Sequence, residues 1–134
     1  MSLSSELLFL TLTASLTGVL WVPIILNRLV ENGLWPTLRN PKPNGRAKAD
    51  WAYRLSLAHS NAVENLVVFA PLALMVHSLG LANPVTASAA ALFFASRLAH
   101  ALVYTLGVPL LRTLAFVVGF GCQIVFALRL LGML

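Results

Sequence analysis

The stretch AHSNAVENLVVFAP, Ala58–Pro71, places His59, Ser60, Asn61, Glu64 and Asn65 directly before a wholly apolar run. A carboxylate can hold an ammonium group or neutralise a cation, and amides can both donate to and accept from a polar ligand. At about 100° per residue, Arg54, Asn61 and Asn65 share one helical face, with Glu64 about 80° to its side and His59 pointing elsewhere. Further along, Arg97, His100 and Tyr104 follow the i, i+3, i+7 spacing of a single helical stripe. Arg112, Gly119 and Gln123 line up in the same way, with Phe116 beside them. Arg54, Arg97 and Arg112 outnumber the one carboxylate among these groups, Glu64, so the set carries excess positive charge suited to an anionic ligand. Each group also has a structural reading. Asn and Gln bridge helices, Arg54 and Arg112 can snorkel to headgroups, Tyr104 can sit in an interfacial belt, and Glu64 and Arg97 can form an ion pair.

These residues must be positioned by membrane helices. The chain of 134 residues is 59% hydrophobic and 10% charged, with a mean hydropathy of +0.86. A soluble domain carries about 25% charged residues. Four apolar runs, about 4–30, 55–80, 84–106 and 109–133, each reach the roughly 20 residues that cross a hydrocarbon core. They use nearly the whole sequence, which predicts an all-α membrane protein: one domain over 1–134, built as a four-transmembrane-helix bundle.

The net charge of +5 does not indicate nucleic acid. Arg28, Arg39, Lys42, Arg46, Lys48 and Arg54 lie in or beside the polar segment of about 31–53, which lacks the interleaved aromatic residues of a nucleic-acid surface. By the positive-inside rule that loop is cytoplasmic and both termini lie on the other side, with anionic headgroups as the simplest partner of the loop. No basic residue precedes Arg28, so the first run is read as an uncleaved span rather than a signal peptide. Pro23 and Pro71 predict bends in spans one and two. PKPNG is a turn, Asn83–Pro84 a tight connection, and Ala87, Ala91, Ala95 and Ala99 a small-residue stripe open to close helix approach. The single Cys122 forms no intrachain disulfide. His59, His77 and His100 lack metal-ligand spacing, so no metal site is expected.

The segments RLSLAHSNAVENLVVFAPLAL, from Arg54, and RLAHALVYTLGVPLLRTLAF, from Arg97, resemble the MAPEG superfamily (membrane-associated proteins in eicosanoid and glutathione metabolism), in its small bacterial branch. The first is similar to the family's A-H followed by N-x-x-E and a Phe/Pro pair. The second is similar to its R-x-x-H/Y-x-x-x-Y segment followed by the arginine that opens span four. The resemblance implies a homotrimer in a bacterial inner membrane, with glutathione as co-substrate bound between protomers near the cytoplasmic face. By matched position it implies that Asn61 and Glu64 bind glutathione, with Glu64 taking its ammonium, that Arg97, His100 and Tyr104 add contacts, and that Arg112 stabilises the thiolate. Two positions depart from active relatives: Leu57 stands where many carry arginine, and Phe116 where prostaglandin-synthase-like members carry tyrosine. Arg54, one turn before Leu57, is the substitute donor in this reading.

Three functions follow as expectations. The first is a glutathione-dependent transferase or peroxidase acting on lipophilic electrophiles. The second is a non-catalytic lipid- or ligand-binding protein on the same scaffold, favoured by Leu57 and Phe116. The third is a small proton-coupled multidrug transporter. Such transporters carry their membrane carboxylate in the first span, where this chain has only Glu6 at the very start.

Overall fold

The computed structural model of the chain describes residues 2–134. Six helices follow in order: α1 (Ser5–Val19), α2 (Trp21–Asn32), α3 (Leu34–Leu38), α4 (Asp50–Ser78), α5 (Pro84–Leu106) and α6 (Pro109–Leu130). α1 and α2 together make one apolar segment, Ser5–Asn32, and with α4, α5 and α6 give four segments long and apolar enough to cross a membrane.

Prolines and caps account for the breaks. The bend expected at Pro23 takes the form of a boundary at Leu20 between α1 and α2. Pro23 has no N–H to offer the Val19 carbonyl and its ring crowds that group, so the helical ladder is interrupted one turn before it. Pro71 lies inside α4, which continues through it from Asp50 to Ser78. Asn83 and Thr86 form a reciprocal capping box that starts α5. Gly107, at φ +80°, ends α5 in a left-handed turn, and Pro109 opens α6.

The polar connection is shorter than the expected 31–53, because α4 begins at Asp50 and α3 forms within the loop. Glu31, at the end of α2, fastens it. Its carboxylate accepts the backbone N–H groups of Lys48 at 3.0 Å and Ala49 at 2.9 Å, and the Asn27 amide at 3.0 Å. α4 has no side-chain cap of its own, so this carboxylate also supplies negative charge beside the positive end of the helix.

The apolar core occupies the half of the bundle away from the loop. Phe69, Ala73 and Val76 of α4 meet Ala89, Ala90 and Phe93 of α5 and Cys122 and Phe126 of α6. Phe69 stacks on Phe93 with centroids 3.9 Å apart and meets Phe126 edge-on at 5.3 Å. In lipid, apolar burial gives little drive between helices, so this close aromatic packing matters more than the area it hides. α1 joins the bundle through Glu6, which is buried and accepts a 2.6 Å hydrogen bond from the Thr86 hydroxyl of α5. Of the alanine stripe, Ala95 and Ala99 are exposed. That part of it faces outward from the bundle.

Candidate functional site

A polar network joins α4, α5 and α6 between the aromatic core and the loop side of the bundle. Arg97 of α5 is buried, and its Nη2 donates to Asn61 Oδ1 of α4 at 2.7 Å. One turn along α4, Asn65 Nδ2 donates to the Asn61 carbonyl at 2.9 Å and to Asn61 Oδ1 at 3.3 Å. Gln123 of α6 donates to the Asn65 carbonyl at 3.3 Å and to Asn65 Oδ1 at 3.2 Å. Polar groups at membrane depth have no water to turn to and must find partners within the protein. The three amides do so by linking helices.

Arg97 does not complete its own set. A guanidinium offers five N–H donors, yet Arg97 Nε and Nη1 are buried without any hydrogen-bond partner. The ion pair weighed from the sequence, Glu64 with Arg97, does not form; Arg97 meets the Asn61 amide instead. Among the described residues the only ion pair is Arg46–Asp50, 3.3 Å apart on the surface. An uncompensated charge at the centre of a membrane helix costs about 2.5–3.5 kcal/mol on insertion scales. Gly119 of α6 makes the space: a Cβ there would stand 3.0 Å from Ser96 Oγ and 3.7 Å from Arg97 Cδ and Nη1.

From Arg97 the stripe continues along α5 toward the loop side. His100 is buried, with its Nδ1 also unpartnered, and its ring meets Tyr104 edge-on at 5.4 Å. The Arg112 guanidinium of α6 lies 4.5 Å over the Tyr104 ring, within cation–π range. Arg54 closes this end. Its Nε donates to the Thr105 carbonyl at 2.9 Å, a cation at the negative end of α5. Its guanidinium packs where a Cβ on Gly107 would come within 3.2 Å, so Gly107 serves both the turn and this approach.

Asn61, Arg97, His100, Tyr104 and Arg112 therefore form one chain of contacts and spacings, and Arg54 seals the adjacent helix end. Glu64 is exposed on the outside of the bundle, apart from this chain of contacts. Leu57 and Phe116, at 38% and 39% exposure, also face outward. His77 lies at the opposite end of the bundle, where Nδ1 is 3.3 Å from Ser4 Oγ. Asn65 and Gln123 complete the network although neither was expected to bind a ligand. Their signal was present as amides at helical spacing with Asn61 and Arg112. No group of three His, Cys, Asp or Glu side chains that could hold a metal is found among the described residues.

Chemically, the arrangement presents unsatisfied guanidinium donors in a low-dielectric setting, with two further arginines toward the loop and no carboxylate paired to any of the three. Such donors make strong, short hydrogen bonds to carboxylates and other oxyanions. Residues 7–132 match the family model described as the MAPEG family. No curated protein and no solved structure matches the chain.

Proposed function

The chain belongs to the MAPEG family, and on that premise we propose that this integral membrane protein binds glutathione and directs its thiol against lipophilic electrophiles, as a transferase or peroxidase. The observation that carries the reading is Arg97, a buried cation whose Nε and Nη1 lack partners. A glutathione carboxylate supplies the missing acceptor. Asn61, His100 and Tyr104 add polar contacts beside it, and Arg54 adds charge at the loop end. Glu64, exposed on the outer face, offers its carboxylate to the ammonium of a glutathione lying between protomers of a homotrimer.

Arg112 has the chemical role. A free thiol has a pKa of about 8.5, and a neighbouring fixed cation favours the thiolate, which is the nucleophile. Against an aryl chloride, the thiol loses its proton to solvent, sulfur forms a bond to the ring carbon, and chloride leaves with the C–Cl electrons. In the orientation favoured by the basic loop, this site opens near the cytoplasmic face of a bacterial inner membrane, with both termini in the periplasm. Lipophilic substrate reaches it laterally from the bilayer.

The test is conjugation of glutathione to 1-chloro-2,4-dinitrobenzene by purified protein, together with the thermal shift that glutathione produces. Turnover is expected, with Arg112→Ala lowering kcat at least tenfold while the thermal shift persists. Absence of both turnover and shift overturns the reading. The outward-facing Leu57 and Phe116 favour a second reading, in which the scaffold binds a ligand without chemistry. That reading requires a ligand-induced shift with no turnover in the unaltered protein.

A further inference from the structure

The polar connection encloses two neighbouring hollows that the glutathione reading does not use. One, of about 390 Å³, lies between α2, the loop and the start of α4. The other, of about 240 Å³, lies between the end of α2 and the loop. Arg28 and Arg46 line both, and Arg39 and Lys42 join them in the second. Two local features shape this basic wall. The Arg46 guanidinium lies 3.9 Å over the Tyr53 ring while pairing with Asp50 at 3.3 Å. Glu31, the acidic residue lining the second hollow, already spends its carboxylate on Lys48, Ala49 and Asn27. The hollows therefore face inward with cations and with a carboxylate whose acceptor capacity is largely occupied.

Their depth is set by the helices around them. They sit where α2 ends and α4 begins, at the edge of two membrane-spanning segments. Beside them α3 exposes Leu34, Trp35 and Leu38 at 66%, 70% and 67%. A short helix showing two leucines and a tryptophan next to basic residues has the composition of a membrane interface, where indole rings settle at headgroup level.

We propose that these joined hollows are a binding site for the phosphate headgroup of an anionic phospholipid in the leaflet on the loop side. Arg28 and Arg46 contact the phosphate, while Trp35 and Leu38 lie among the adjoining acyl chains. Charge complementarity selects the anion, and the interfacial position of the hollows selects a lipid over a soluble phosphate. Occupancy stiffens the loop between α2 and α4, whose far end is fixed by Glu31.

The experiment reconstitutes the full chain in nanodiscs of phosphatidylcholine alone or with 30 mol% phosphatidylglycerol, and counts retained lipids by native mass spectrometry. Retention of phosphatidylglycerol over phosphatidylcholine is expected. Arg28→Gln should reduce that preference roughly fivefold, the effect of losing one basic contact near a membrane surface. Lys48→Gln removes the same charge at a residue that lines neither hollow, and should leave the preference within twofold. Arg46→Gln is a second variant in the wall, expected to act as Arg28→Gln does. Because each preference is a ratio within one protein, a uniform loss of stability does not imitate it. Equal losses in Arg28→Gln and Lys48→Gln would reduce the effect to general loop charge and overturn the site. Displacement of the lipid by millimolar inorganic phosphate would assign the hollows to a soluble anion instead and overturn the lipid.

Discussion

Replacing Arg97 by methionine separates the cost of a residue from its use. The arginine is buried with two nitrogens unpartnered, while Asn61 Oδ1 keeps a second donor in Asn65 at 3.3 Å. Exchanging a buried, poorly compensated charge for an apolar side chain of similar length is often neutral or stabilising. Arg97→Met is therefore expected to melt in detergent at or above the temperature of the unaltered protein, yet to show no thermal shift with glutathione. A large drop in the ligand-free melting temperature would make Arg97 a structural tie. At this scale the sequence was informative about which side chains are special and less so about what they touch. Helical spacing brought Arg97, His100 and Tyr104 into one stripe, and the structure keeps them there. Spacing within one helix cannot say whether Asn61 or Glu64 faces another helix, because that depends on the rotation of α4 against α5. Asn61 turned inward and Glu64 outward.

Elements are joined by a few polar ties, and Glu6–Thr86 is the one that brings α1 to α5 near the start of both helices. Thr86 cannot be replaced without loss on both sides. Its hydroxyl donates to a buried carboxylate and accepts from the Asn83 backbone N–H at 2.9 Å. Thr86→Val leaves the carboxylate without its donor, and hydrogen bonds to charged groups contribute about 1.5–3 kcal/mol. Its melting temperature should fall clearly, whereas Glu6→Gln, which keeps an acceptor oxygen, should fall less. Equal losses would place the effect in packing rather than in the bond. This tie was hidden in the sequence because its partners are 80 residues apart. In the sequence Glu6 stands only as a carboxylate at the very start of the first span, and it lies in the first turn of α1. The prolines were more legible, since a missing N–H acts locally: Pro23 divides the first span, one turn before itself. Pro71 lies inside α4, which continues through it without a boundary.

Across the whole molecule, the bundle divides along its length. Phe69, Phe93 and Phe126 fill the half away from the loop, and the arginine stripe fills the half toward it, with Asn65 and Gln123 between them. Four spans were plain from hydropathy because a bilayer sets a minimum length for each. The order within the polar connection was not, since α3 and the Glu31 clamp depend on contacts that composition does not encode. That clamp has a consequence for the continuity of the chain. Glu31 lies before the turn at Lys42–Gly45, and the Lys48 and Ala49 N–H groups lie after it. The peptide bonds in that turn therefore join two parts that already grip each other across it, with α1 also packed on α4 and α5 and α2 on α4. A gene cut between Lys42 and Pro43 should yield two polypeptides that find one another in the membrane and elute together through a tag on only one. Separate elution would mean that the covalent thread, rather than the packing, holds the first span to the rest.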